Sequence, residues 1–263
     1  MRKRSNGWFR FSLVVTLVVW IAILAGWTDV VQSQTSPNGK PNDTAEIKAN
    51  RERAKEIARK AFSNRRQAPN ELRESIAKAE EASAMFAELG DKLDEAEMLF
   101  ESASAFMKLG ENRKALELSK RAQILADDAG GLVERSALLS QTGTAYSNLG
   151  EKQTALEYQL KALDLLKTSP DVADSVPLAM FFVGGAYFEI GKTAEAFDFY
   201  DRGLALVEKS DSKFGMESML KLIGDAHLRL GAYARAVSYY KSALQVCEQK
   251  NFFADQAYML NHI

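Results

Sequence analysis

The chain has 263 residues, a formal net charge of −1 and 46% hydrophobic residues, which is enough to build a sizeable apolar core. Residues 1–33 hold four basic residues and one acidic residue. The remainder therefore has 30 basic and 34 acidic side chains (34 − 4 and 35 − 1), a net charge of −4. This balance argues against nucleic acid as a partner. Cys247 is the only cysteine, so an internal disulfide is excluded, and we expect it to be buried in an apolar helix.

The first 33 residues have the pattern of an export signal. Basic residues at 2, 3, 4 and 10 precede an apolar run of 17 residues, 11–27, followed by small and polar residues. As a helix this run would be about 26 Å long, which is long for a signal core and slightly short for a bilayer of ~30 Å. Two interpretations stay open, a cleaved signal peptide and a retained N-terminal membrane anchor. Both predict an extracytoplasmic location, either periplasmic or secreted or anchored to the membrane through residues 11–31.

Residues 34–46 are predicted to be a flexible linker, because Pro37, Gly39 and Pro41 lie within a polar stretch. The repeat array is predicted to span residues 47–263. Its start is charged and weakly periodic, which is typical of a polar helix that caps a stack, and Asn70–Leu89 follows as the second helix of that pair.

A Leu-Gly or Ile-Gly pair recurs along the array, with the glycines at 110, 150, 191 and 231, or 40, 41 and 40 residues apart. A period of this size indicates stacked repeats. Glycine after a leucine-ended run favours the left-handed position that closes a helix. Each repeat is thus predicted to be two antiparallel helices, A and B, joined at the glycine. The four predicted pairs are 91–109 with 112–127, 132–149 with 152–167, 173–190 with 193–209, and 212–230 with 233–249.

Small residues recur seven positions before each turn glycine, at Ala103, Gly143, Gly184 and Gly224. A missing side chain at these positions lets helices A and B approach closely, and we expect alanines of helix B to face them. Pro177 is expected in the first turn of its helix, since an interior proline would cost about 3 kcal/mol.

The unit containing Gly143, Tyr146, Leu149-Gly150, Ala155 and Ala162 resembles the tetratricopeptide repeat. The usual tryptophan of helix A and the usual closing proline are missing, and the period is about six residues longer than the common one. The 40-residue form, with the segment from Tyr146 to Tyr158, resembles the arrays that precede a caspase-like domain in bacterial CHAT-domain proteins. The resemblance implies an all-α fold, a right-handed α-solenoid of antiparallel helix pairs.

The resemblance also implies a groove lined by the A helices, in which an extended or helical segment of a protein or peptide binds through apolar contacts. The alternative for any one aromatic is packing between repeats. The residues implied at the four levels are Phe100, Ser104, Met107 and Lys108; Ser140, Thr144, Ser147 and Asn148; Phe181, Gly185, Phe188 and Glu189; and Lys221, Asp225, Leu228 and Arg229.

No sequence motif for catalysis, cofactor binding or metal binding is found, and His227 occupies the aromatic position of its repeat, where a core role is expected. We therefore predict a non-enzymatic chain without cofactors. Two hypotheses remain for its function. One is an exported interaction scaffold, and the other is the regulatory repeat arm of a larger CHAT-type protease. The oligomeric state is not predicted.

Residues 253–263 have the pattern of the first half of another helix A, without a helix B to cover Tyr258, Met259 and Leu260. We predict an array truncated at its C-terminus, within a longer polypeptide. The alternative is a short terminal helix that folds back on Tyr239 and Leu244.

Overall fold

The computed structural model describes residues 45–62, 68–209 and 215–250, and within them every regular element is a helix. The predicted export segment, most of the linker and the incomplete helix at 253–263 lie outside these residues. The helices are α1 Ala45–Phe62, α2 Pro69–Leu89, α3 Lys92–Lys108, α4 Asn112–Ala129, α5 Leu132–Asn148, α6 Lys152–Leu166, α7 Val176–Glu189, α8 Thr193–Lys209, α9 Met216–Arg229 and α10 Tyr233–Lys250. The predicted all-α fold class is confirmed.

The chain divides into two compact units between Ser169 and Pro170. The first unit holds α1 to α6, in which each helix packs against the next one along the chain. The second unit holds a 3₁₀ segment, Pro170–Ser175, followed by α7 to α10, with the pairs α7–α8 and α9–α10 packed together. In each pair from α3 onward, the first helix corresponds to a predicted helix A and the second to a helix B.

The turn between helices A and B is closed by glycine in the left-handed conformation, as predicted. Gly150, for example, has φ 86°, and its N–H donates to the Ser147 carbonyl at 2.9 Å. The next N–H, that of Glu151, donates to the Tyr146 carbonyl at 2.9 Å. These two bonds satisfy carbonyls that the helix end would otherwise leave unpaired, and helix B starts directly afterwards.

The close approach predicted at the small residues of helix A is confirmed, but its partners differ from the expectation. A Cβ built on Gly184 would lie 2.6 Å from Cε1 of Tyr200 and 3.0 Å from the carbonyl oxygen of Ala196. At Gly143 the nearest atom would be the Nε2 of Gln159, at 2.9 Å. A larger side chain four residues after the alanine therefore covers the glycine, while the alanine contributes its carbonyl.

Helix boundaries differ from the prediction mainly at the start of the second unit. Helix α7 begins at Val176 instead of residue 173, because Pro170–Ser175 forms the 3₁₀ segment, in which Val172 has non-helical φ −109°. Pro177 lies in the first turn of α7, as predicted, and has no N–H to donate to a carbonyl one turn earlier. Helix α9 begins at Met216, after Gly215 with φ 75°.

Two further expectations concern buried and apolar segments. Cys247 is buried, as predicted. Among the described residues, no helix combines the length and apolar character needed to cross a membrane. The apolar run 11–27 lies outside those residues.

Candidate protein-binding surface

The A helices of the first unit, α3 and α5, carry eight of the residues predicted to line a groove. Phe100 and Ser140 are buried, whereas Lys108 and Asn148 are exposed. The remaining side chains are partly buried: Ser104, Met107, Thr144 and Ser147. On these two helices the accessible part of the predicted set is therefore mostly small and polar, with Met107 as its apolar member.

A buried amide holds α3 and α5 together. The Nε2 of Gln141 donates to the Phe100 carbonyl at 2.7 Å and to the Ser104 hydroxyl at 2.8 Å. Its Oε1 accepts a bond of 2.9 Å from the Ser119 hydroxyl. Because a buried amide without partners would be costly, these bonds fix the position of α5 on α3. Ser104 is thus both part of the predicted surface and part of this contact.

Glu97 was missed in the sequence analysis, although it lies one turn before Phe100 on the same face of α3. Its Oε1 atom is buried and has no hydrogen-bond partner among the described residues. Burial, together with the nearby carboxylates of Glu101 and Asp94, raises the pKa of Glu97 to about 8. A signal was present in the sequence: the corresponding positions of the later repeats are uncharged, at Ala137, Leu178 and Ser218.

The second unit carries the other eight predicted residues on α7 and α9. Phe181 is only 2% exposed, stacks on Tyr200 with ring centroids 5.3 Å apart, and belongs to the core of this unit. For this residue, packing inside the repeat is the arrangement observed. Asp225 accepts a hydrogen bond of 2.7 Å from the Tyr240 hydroxyl, and Gly185 and Lys221 are partly buried.

The second unit carries a partly exposed patch on α7 and α9, which we call the Phe188 patch. It consists of Phe188, Glu189, Leu228 and Arg229. The Arg229 guanidinium lies 4.6 Å from the centre of the Phe188 ring, and its Nη1 donates to Glu189 Oε1 at 2.5 Å. Phe188 also packs against the core of the unit. Leu228 is 36% exposed. The patch joins an anchored ring, an exposed aliphatic side chain and a charged pair.

His227 has the core position expected for it. The side chain is 6% exposed. Its ring stacks on those of Phe197 and Tyr239, with centroid distances of 4.5 Å and 5.4 Å. Burial lowers the pKa of His227, with a further contribution from Arg235. An imidazole enclosed by two rings is placed for packing.

Two family models of the tetratricopeptide repeat match the chain, one at residues 138–165 and one at residues 176–249. These segments correspond to the pair α5–α6 and to α7–α10. The chain therefore carries tetratricopeptide repeats, as its sequence predicted. The matches do not show the finer resemblance to the arrays of CHAT-domain proteins. Comparison with curated protein sequences finds no match.

Solved structures of similar fold share little sequence with this chain. A Rap protein complexed with Competence and Sporulation Factor has a TM-score of 0.66 and 13% identity, over 93% of this chain and 65% of that one. The apo form of RapI has a TM-score of 0.59 and 17% identity, over 78% of this chain and 72% of that one. A putative kinesin light chain from Podosopora anserina with nearly identical TPR-like repeats has a TM-score of 0.55 and 16% identity, over 81% of this chain and 99% of that one. At these identities the likeness concerns the fold.

Proposed function

We propose that this chain is an exported scaffold that binds a segment of a partner protein on the exposed faces of its A helices. The observation that carries the proposal is the Phe188 patch. Its aromatic ring is already held by the core and by Arg229, so binding would order few additional rotamers. Fixed aromatic rings beside arginine are the residues that contribute most to binding at protein interfaces.

The repeat architecture supports an interaction role over a catalytic one. Stacked helix pairs present extended surfaces for binding other macromolecules. One similar structure, the Rap protein, was solved in complex with Competence and Sporulation Factor. By analogy we propose a protein or peptide partner here, and no cofactor. Export rests on the basic and apolar pattern of residues 1–33, and the acidic balance of the remaining chain favours a protein partner over nucleic acid.

Peptide binding tests the proposal. A displayed library of nonapeptides is selected against the full chain, and the affinities of selected peptides are measured by fluorescence anisotropy. Phe188→Ala should weaken binding at least tenfold. The matched control is Phe199→Ala, because Phe199 is also a partly buried ring beneath an arginine, with Arg202 5.2 Å away, but lies on helix B. Equal losses in the two variants, or no selected peptide, would contradict the proposal.

The regulatory arm of a CHAT-type protease stays an alternative based on the 40-residue repeat form alone. The codons that follow Ile263 decide it. An α/β region with a catalytic His and Cys would favour that alternative.

A further inference from the structure

We propose that the hydroxyl of Tyr200 donates a hydrogen bond to a backbone carbonyl of the bound segment, and that this segment is extended where it crosses Gly185. The inference rests on the proposed function, because Gly185 lies one turn before Phe188 on the same face of α7. All three residues belong to the second unit. The recognised group is thereby named, and an extended segment is chosen over a helical one, which the sequence left open.

A polar side chain stands on helix B nine residues after each turn glycine. In three of the four pairs it donates a hydrogen bond to a helix A of the chain, as Ser119, Gln159 and Tyr240 do. The fourth is Tyr200 of α8. Its hydroxyl forms no hydrogen bond with any residue that the structure describes. This donor is therefore left for a group from outside the chain.

The last two pairs differ at the residue that faces this hydroxyl. Asp225 of α9 and Gly185 of α7 hold corresponding positions, 40 residues apart. The Tyr240 hydroxyl donates to Asp225 at 2.7 Å. Gly185 has no side chain to accept a bond, and a Cβ built on it would meet only the Tyr200 hydroxyl, at 3.8 Å, among the described residues. An acceptor from a partner would thus take the place that the carboxylate has in the other pair.

The Tyr200 hydroxyl is held in position and open on one side. Its ring stacks on Phe181, with centroids 5.3 Å apart, and meets the edge of Phe197 at 5.8 Å. The side chain is only 4% exposed. Its oxygen is not among the enclosed polar atoms that lack a partner, so the small exposed part includes this oxygen. A donor fixed in this way needs almost no further ordering to bind an acceptor.

The charges around the hydroxyl favour a neutral acceptor. Burial raises the pKa of Tyr200 to about 12, so the proton stays on the oxygen at pH 7 and can be donated. Arg229 opposes this rise, whereas Glu189 and Asp225 add to it. The guanidinium is already bound to Glu189. Two carboxylates against one cation disfavour a further negative charge, so a backbone carbonyl suits this place better than a carboxylate.

An extended segment supplies such a carbonyl. Inside a helix the carbonyls are already bonded to N–H groups four residues later, whereas an extended segment leaves them free to accept. The missing side chain of Gly185 also allows a backbone to approach closely. We therefore expect the backbone of the segment to cross Gly185 and one of its apolar side chains to contact the Phe188 patch.

The experiment uses the full chain and the selected nonapeptides, with affinity from fluorescence anisotropy and stability from thermal unfolding. Tyr200→Phe removes only the hydroxyl oxygen. It should weaken binding about fivefold, as expected for one neutral hydrogen bond, and leave the melting temperature unchanged. The matched control is Tyr240→Phe, which removes the same atom from the next pair. It should lower the melting temperature, because Asp225 loses a donor, and change the affinity less than about twofold.

A second variant covers the hydroxyl instead of removing it. Gly185→Ala places a methyl group beside the oxygen, where the backbone of the segment would pass. It should weaken binding at least about tenfold while the melting temperature rises, because alanine favours the helix. Affinity and stability should therefore move in opposite directions.

Modified peptides identify the acceptor. Each peptide bond of one selected nonapeptide is replaced in turn by an E-alkene, which has no carbonyl oxygen. One replacement should weaken binding to the unmodified chain and to Tyr240→Phe, but cause no comparable loss with Tyr200→Phe. An ester at that bond keeps a carbonyl and removes only the N–H, so its binding should still respond to Tyr200→Phe.

Three results would overturn the inference while the proposed function stands. The first is that peptides which depend on Phe188 bind Tyr200→Phe as tightly as the unmodified chain. The second is that Tyr200→Phe lowers the melting temperature as much as Tyr240→Phe, because the hydroxyl then serves the fold. The third is a loss in Tyr200→Phe that couples to no peptide bond, which would assign the acceptor to a side chain. Absence of binding by every peptide would reject the proposed function as well.

Discussion

The two adjacent glycines of α7, Gly184 and Gly185, should respond oppositely to the same substitution. Neither has a positive φ, so alanine is compatible with the backbone at both positions. A Cβ on Gly184 would lie 2.6 and 2.7 Å from two carbons of the Tyr200 ring, whereas a Cβ on Gly185 would meet only the Tyr200 hydroxyl, at 3.8 Å. The pair separates crowding from helix propensity within a single turn.

The magnitude follows from two opposing effects. Replacing glycine by alanine inside a helix stabilises it by about 1 kcal/mol. Overpacking typically costs about 1–3 kcal/mol, and the Tyr200 ring has little room to move because it stacks on Phe181 and meets the edge of Phe197. Because the ring is confined, the overpacking cost at Gly184 should lie in the upper part of this range, about 2–3 kcal/mol. Gly184→Ala should therefore destabilise by about 1–2 kcal/mol, and Gly185→Ala should stabilise by about 0.5–1 kcal/mol.

Urea unfolding followed by far-UV circular dichroism measures both free energies of unfolding. The melting temperatures should differ by roughly 2–4 °C for each kcal/mol of difference. Adding Tyr200→Leu to Gly184→Ala should recover part of the loss, because the smaller side chain relieves the contact. Equal effects of the two alanine substitutions would refute the assignment of Gly184 as the point of closest helix approach.

Three further predictions concern buried groups. The raised pKa of Glu97 makes the native state favour its protonated form, so the free energy of unfolding should fall, by at most about 5 kcal/mol, as pH rises from about 4.5 to 8. Glu97→Gln should remove this fall, and a urea midpoint that depends on pH equally in the variant and the unmodified chain would contradict the prediction. The lowered pKa of His227 predicts the opposite pH dependence, in which the free energy of unfolding falls as pH drops below about 6.5. His227→Phe introduces the residue type found at the matching position, Phe106, and should remove this fall. If the fall persists in the variant, another group causes it. Phe181→Ala should lower the free energy of unfolding by about 3–5 kcal/mol, whereas Phe188→Ala should mainly lower peptide affinity; the reverse order in thermal melts would show that their burial is misassigned.

Local features of the fold could be predicted from the sequence because each depends on one or two residues. Gly150 adopts the left-handed conformation that its place after a leucine-ended helix indicated. Gly184 marks a close helix contact, and Pro177 lies in the first turn of α7. The facing residue at the close contact was not predicted, because it depends on the rotation of helix B, which places Tyr200 instead of an alanine over the glycine.

The candidate surface was less predictable, because burial depends on neighbouring helices. Phe181 has the repeat position of a groove residue, but Tyr200 and the core of the second unit enclose it. The burial of Glu97 was not predicted, because no sequence motif distinguishes one glutamate from the others in a charged helix. Its significance comes from an enclosed oxygen atom, which only the packed helices reveal. Partner contact at the predicted positions stays a prediction.

The buried amide of Gln141 has a consequence for how this array can be rearranged by duplication or recombination. Its bonds require a hydroxyl at Ser104 on the preceding helix A and another at Ser119 on the intervening helix B. The corresponding positions of the later repeats, Phe182 and Leu222, make no such demand, since their side chains have no polar atoms. A repeat that carries Gln141 is therefore chemically matched to one predecessor. Exchanging that predecessor for a repeat without the two hydroxyls would leave the buried amide with only the backbone carbonyl of residue 100 as a partner and its Oε1 atom unpaired, so repeat order is constrained at this junction.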